Sequence, residues 1–183
     1  MVPASVARMN QQADGHEQTL TGERAAKTIR ELAKSARVCL FATPAGASEL
    51  PLEVRPMAVQ DVDADGSLWF LSGRSSLKNR HIARNPHVQL FFANPAESEY
   101  LSVFGTATVS DDRSLREKHW TPLARDWFPG GIDDPELTVI KVEPDKGHYW
   151  DTEHGKAVSL IKATVGALTG KPARVGVEGE LKP

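Results

Sequence analysis

The hydrophobic positions change period several times along the chain. Met1 to Gln18 is polar and patternless and reads as a mobile leader. Ala25, Ile29, Leu32, Ala33 and Ala36 then recur at helical spacing, which predicts an amphipathic helix facing a core. Thr21 is a candidate cap for it, and Glu23 suits the positive end of its dipole. At Val38 the pattern turns to a short apolar run, Val38 to Thr43, expected to be a buried strand. Leu52 to Val62 reads as extended, with Pro56 marking an edge, a bulge or a strand start because it cannot donate to a ladder. Asp65-Gly66 is a hairpin signal before the strand Ser67 to Ser72, which would make Val54 to Met57 that strand's neighbour. A short helix from about Ser76 should stop before Pro86.

The second half repeats this alternation. His87 to Asn94 and Tyr100 to Ser110 read as strands, with Gly105 expected at a bulge or a close approach. Asp111 or Asp112 can cap a helix through His119. Leu137 to Val142 and Gly147 to Asp151 read as two further strands, and Lys156 to Leu168 as a terminal amphipathic helix before a Gly- and charge-rich tail. Six or seven strands with short connections predict an α+β, mainly β fold, an antiparallel barrel with peripheral helices. Its expected organisation is a leader over 1–18, one domain over 19–154, and a helix and tail over 155–183.

Composition narrows the class. The 183 residues are 40% hydrophobic and 25% charged, ordinary for a soluble domain. A net charge of −2 does not favour nucleic acid as a partner, which selects a clearly basic domain. No apolar run reaches the length of a membrane span, and a single cysteine, Cys39, suits a reducing compartment, so a cytoplasmic location is expected. The six histidines form no HxH or HxxxH pair, and no metal site is expected. Phosphate-loop, dinucleotide and nucleophile-elbow motifs are absent.

One segment departs from this ordinary background. From Gly66 to Ala96 no acid occurs, while Arg74, Lys78, Arg80 and Arg84 do. A helix start carrying Ser75 and Ser76, with Lys78 in its first turn, supplies the donors of an anion cradle. The same residues equally describe a capping serine on a solvated basic helix. Beside this turn, Trp69, Phe70, Leu71 and Ser72 offer a flat apolar strand, and Arg55 a fork of donors that could otherwise serve a surface ion pair. A planar ring with a phosphate tail would fit such a combination.

"WFLSGRSSLKNRHIARNP" following "VRPM" resembles the flavin-binding split-barrel family of pyridoxamine 5′-phosphate oxidase, and within it the general stress protein branch. The resemblance runs from about Thr21 to Asp151. It implies a split β-barrel and a homodimer with FMN, in preference to FAD, at the subunit interface. It implies cofactor contacts from Arg55, Pro56 and Met57, from the strand Trp69, Phe70, Leu71 and Ser72, and from Ser75, Ser76 and Lys78 at the phosphate. Two family cations are missing: the arginine of the phosphate turn is Leu77, and a lysine five residues after the first arginine is Gln60. The Arg-x-His strand and terminal Arg-Leu-x-Pro segment of true oxidases are replaced by "HYWDTEHGKAVSLIK". Vitamin B6 oxidation is therefore the weaker expectation. The leading one is an FMN-binding general stress protein, as a flavin-dependent oxidoreductase or as a non-catalytic sensor or store. A phosphate- or nucleic-acid-binding barrel without flavin is the alternative from another class.

Three tryptophans, Trp120, Trp127 and Trp150, read as core or interface anchors. Trp127, in "ARDWFPGG", is also a candidate cover for the flavin. Cys39 reads as a small core residue, and the pairs Asp111-Asp112 and Asp133-Asp134 as caps and turns.

Overall fold

The computed structural model describes residues 16–46, 51–151 and 177–183. The leader up to residue 15 and the terminal helix expected over Lys156 to Leu168 lie outside the described residues.

Two short strands, β1 (His16–Glu17) and β2 (Leu20–Thr21), precede helix α1 (Gly22–Ala36), which buries Ala25, Ala26, Ile29, Leu32 and Ala33. These are the positions that the 3.6-residue period selects, with Ala36 partly buried at the margin. Strands β3 (Val38–Pro44), β4 (Leu52–Ala58), β5 (Asp61–Val62) and β6 (Leu68–Gly73) follow, then α2 (Leu77–Arg84) and strands β7 (His87–Asn94) and β8 (Glu99–Ser110). Helix α3 (Arg113–His119), two 3₁₀ turns, and strands β9 (Leu137–Asp151) and β10 (Val177–Lys182) complete the order.

The strands form one sheet in the order β1-β10-β9-β8-β7-β3-β4, with β6 pairing the first half of β9. Phe41, Phe70, Leu68, Leu90, Leu101 and Ile140 belong to one buried core, and Phe41 meets Phe70 edge to face at 5.4 Å. β4, at one end of the path, and β6, which branches from it at β9, lie close together but share no ladder. A mainly β chain with an incompletely joined sheet and peripheral helices is consistent with the split-barrel expectation.

Three details differ from the sequence reading. The sheet has ten strands and is mixed, because β10 runs parallel to β1 and β2 while pairing antiparallel with β9. Its Glu-Gly-Glu-Leu-Lys run, expected as tail, has the period of two that a half-buried strand needs, with Leu181 fully buried. Leu137 to Asp151 is one strand instead of two, since Pro144 falls opposite Gly105, where the β8–β9 register already shifts. A Cβ on Gly105 would lie 2.4 Å from the Glu143 carbonyl oxygen, so a glycine is needed there. Finally, the Asp65-Gly66 hairpin joins β5 to β6, not β4 to β6. Gly66 (φ 87°) takes the left-handed turn, while β4 pairs only with β3 and makes a sheet edge at Pro56.

Candidate functional site

Arg55 and Lys78 approach each other from β4 and the first turn of α2. Arg55 is fixed from below: its Nη1 donates to the Phe41 carbonyl at 3.2 Å and to Thr43 Oγ1 at 2.7 Å. Its Nη2 reaches Glu53 at 3.4 Å, a long contact. Burial lowers the Arg55 pKa, and Glu53 opposes that shift. Thr43 is fully buried, and its hydroxyl also pairs with Nδ1 of the buried His81 at 2.9 Å. A guanidinium only donates, so the Thr43 hydroxyl accepts from Arg55, while its bond to His81 Nδ1 takes its direction from the imidazole tautomer. The chain His81–Thr43–Arg55 thus ties α2 to β3 and β4.

Lys78 is half-buried, and among the described residues it makes no hydrogen bond or ion pair. Burial pulls its pKa down, and the neighbouring Arg55 cation pulls in the same direction. Two adjacent cations, one of them without a carboxylate, mark a place where an anion would be stabilised.

The serines of the turn are used differently. Ser76 caps α2, its hydroxyl accepting from the Asn79 N–H at 3.4 Å. Ser75 donates both its N–H (3.0 Å) and its hydroxyl (2.6 Å) to Glu136 Oε2, just before β9. Those bonds hold the Glu136 carboxyl below the usual carboxylate range. Arg74 is drawn away by Asp111 at 3.1 Å and by the Pro135 carbonyl at 2.9 Å. Behind the turn, Ser72, Asn79 and Thr138 form a buried closed network. Ser72 Oγ donates to Asn79 Oδ1 (2.7 Å), Asn79 Nδ2 to Thr138 Oγ1 (3.0 Å), and Thr138 Oγ1 to the Ser72 carbonyl (2.7 Å). With every member satisfied, such a network fixes α2 against β6 and β9.

The strand residues divide between the two faces of β6. Phe70 is in the core, and Ser72 belongs to the network just described. Trp69 is buried on the other face, stacked on His119 at 4.3 Å, with its indole N–H donating to Asp63 at 2.6 Å. Leu71 packs against Ala124, Phe128 and Leu137. The side chains of Trp69 and Phe70 are therefore occupied, and what β6 presents toward β4 is its unpaired backbone beyond Trp69. Met57 is buried in the core, and Pro56 lies on the opposite face of β4, in register with Leu40. Gln60 is spent locally: its side chain donates to the Ala58 carbonyl and accepts from Thr121. A cleft of about 650 Å³ opens behind α2, lined in part by Arg74, Arg80, Ala107 and Ser110; Lys78 and Arg55 do not line it.

Trp120 packs beneath Ala124 and Phe128, but Trp127 is 74% exposed, and no ring contact or hydrogen bond ties its side chain to Arg55 or Lys78. Trp150 is also exposed and belongs to a larger apolar face. Val38, Leu40, Val54, Phe91, Tyr100 and Trp150 all point outward from β3, β4, β7, β8 and β9, and the strand registers place them side by side. Contiguous exposed apolar surface of this kind marks an interaction site.

Sequence reasoning missed Thr43, His81, Asn79, Thr138 and Glu136. Thr43 and His81 meet from positions 38 residues apart, and Ser75 and Glu136 from positions 61 apart, so no local pattern reports either contact. Among the described residues no helix is long and apolar enough to cross a membrane, and no group of three or more metal-ligating side chains forms.

Comparison with known proteins places this geometry. The chain is 31% identical over 130 residues to the protein bli-3 of Neurospora crassa, a match covering 66% of the chain and 62% of that protein's length. It is 29% identical over 97 residues to general stress protein 26 of Bacillus subtilis, covering 51% of the chain and 69% of that protein. Among solved structures, one described as a general stress protein 26 from Jannaschia sp. CCS1 superposes with a TM-score of 0.69 at 23% identity, covering 88% of this chain and 96% of that one. The general stress FMN/FAD binding protein of Xanthomonas citri superposes with a TM-score of 0.58 at 20% identity, covering 69% and 87%. The family model described as pyridoxamine 5′-phosphate oxidase like matches residues 24–173. With that match spanning most of its length, the chain belongs to the pyridoxamine 5′-phosphate oxidase-like family.

Proposed function

We propose that this chain is an FMN-binding protein of the general stress type, with the cofactor phosphate on Lys78 and Arg55. The observation that carries this reading is Lys78: a half-buried ammonium beside a half-buried guanidinium, with no carboxylate of its own among the described residues. Such a pair is costly without an anion and favourable with one. The donor set fits a phosphate, since Arg55 is already oriented by Thr43 and Phe41 and loses little freedom on binding. The ring then lies along the unpaired edges of β4 and β6, against Arg55–Met57 and Leu71–Ser72. FMN is the shorter extrapolation; FAD would need room for an adenylate beyond the phosphate.

The same reading makes the protein a homodimer through the apolar face around Leu40 and Phe91, with Trp127 reaching the flavin from a loop. It also makes it cytoplasmic, in keeping with a single buried free thiol, Cys39. When bound, FMN supplies hydride and one-electron chemistry; the protein contributes orientation, charge and exclusion of water. Its own residues then act on the cofactor's periphery: Arg55 and Lys78 neutralise the phosphate, while the Ser72–Asn79–Thr138 network keeps Lys78's helix in place.

The test is the visible spectrum of the purified protein, with identification of any extracted chromophore. Stoichiometric FMN supports the proposal, and turnover of the bound flavin by NADH or NADPH supports an oxidoreductase over a store. A protein that stays colourless in excess FMN refutes the proposal.

A further inference from the structure

The phosphate turn already holds an anion of its own. Glu136 accepts from both donors of Ser75, at 3.0 and 2.6 Å, and its own carbonyl accepts from the Arg74 N–H at 2.7 Å. Main chain and side chain thus clamp the residue just before β9 onto the turn that precedes α2. Ser75 is three residues before Lys78, so a phosphate on Lys78 and the Glu136 carboxylate would share one turn of chain. Two negative charges brought to one turn repel each other.

We infer that Glu136 is a specificity-determining residue of the proposed flavin site: by occupying Ser75 and placing a negative charge at the turn, it limits how strongly the chain prefers a phosphorylated flavin over an unphosphorylated one. The inference rests on the flavin reading. It has a structural corollary, that Ser75 is withheld from the ligand and the phosphate relies on Lys78 and Arg55. The Glu136 carboxyl is held below its usual range by Ser75, so it stays ionised through the neutral region and does not open by simple titration.

Four proteins test this: the wild type, Glu136→Gln, Ser75→Ala and the double variant, each titrated with FMN and with riboflavin. Glutamine keeps the shape but removes the charge that holds Ser75, leaving a weaker neutral acceptor from which a phosphate can recruit it. Glu136→Gln should tighten FMN about three- to tenfold, the range set by one charge-assisted hydrogen bond gained or one repulsion lost, with riboflavin unchanged. Ser75→Ala should cost FMN affinity more in the Glu136→Gln background than alone, which a double-mutant cycle reads as coupling. Equal or weaker FMN binding by Glu136→Gln, or the same change for both ligands, overturns the inference while leaving the flavin reading standing. If neither the wild type nor Glu136→Gln binds FMN, the flavin reading fails and the inference falls with it.

Discussion

His119 offers a test of the energetics that is independent of any ligand. It is 3% exposed, stacked flat on Trp69 at 4.3 Å, and neither ring nitrogen has a hydrogen-bond partner among the described residues. A neutral imidazole there leaves one donor and one acceptor unsatisfied, and an imidazolium leaves two donors and a buried charge. Burial first, then the nearby Lys118, lowers its pKa from 6.5, while Asp61 and Asp63 pull the other way. The sign follows: the unfolded chain binds this proton more readily than the folded one, so stability rises with pH across the interval between the two pKa values. Stability is therefore complete above the ordinary histidine value and is lost as pH falls below it. One proton carries at most about 1.4 kcal/mol per pH unit, which is the upper bound on the slope between the two pKa values.

His119→Phe keeps a flat ring over Trp69 and removes both orphaned nitrogens. At pH 7.5 it should be neutral to about 2 kcal/mol more stable, relief of the unpaired atoms being offset by the cost of a larger ring. The assay is urea unfolding of both proteins at half-unit steps from pH 7.5 to 5.5. The difference between the two curves should widen in acid, as the wild type weakens and the variant does not. Parallel curves across that range would show that His119 titrates normally and would refute the reasoning.

Other perturbations test other links. Thr43→Val preserves volume but strips the hydroxyl shared by Arg55 and His81, and should cost about 1–3 kcal/mol in chemical denaturation. In flavin titrations it should weaken FMN more than riboflavin. Gly105→Ala drives a methyl to within 2.4 Å of the Glu143 carbonyl oxygen, so the β8–β9 bulge must shift; a loss of about 1–3 kcal/mol is expected, and an unchanged Tm would contradict the role given to the bulge. Leu40→Glu, at the centre of the exposed apolar face, should convert the proposed dimer to monomer in sedimentation equilibrium without loss of helical or strand signal.

What the sequence carried and what it did not divide along a physical line. Features closed within a few residues were legible: the buried stripe of α1, the Gly66 turn, the caps at Ser76 and Asp112, and the glycine at the Gly105 bulge. Features that depend on which distant segments meet were not. The absence of acids from Gly66 to Ala96 suggested uncompensated charge, yet Arg74 finds Asp111 and the neighbouring Ser75 finds Glu136, both far away in sequence. Charge balance is settled in three dimensions, and of the expected cradle's cations, Arg74 has an acid partner while Lys78 keeps none among the described residues. Trp69 looked like a platform because alternation along a strand tells which side chains point together, not what covers them; His119 covers it. The parallel strand β10 was hidden in a charged tail, because the two glutamates and Lys182 that face outward dominate its composition.

The central claim, that Lys78 and Arg55 form a phosphate site for a flavin, is tested most directly by comparing FMN with riboflavin on the wild type and on Lys78→Gln. The two ligands differ only in the phosphate, and Lys78 occupies a position where its charge has no other described partner. The account predicts that the wild type prefers FMN by roughly tenfold or more, the worth of one charged hydrogen bond, and that Lys78→Gln loses most of that preference while keeping its affinity for riboflavin. A wild type that binds the two flavins equally, or a Lys78→Gln variant with its FMN preference intact, would contradict it.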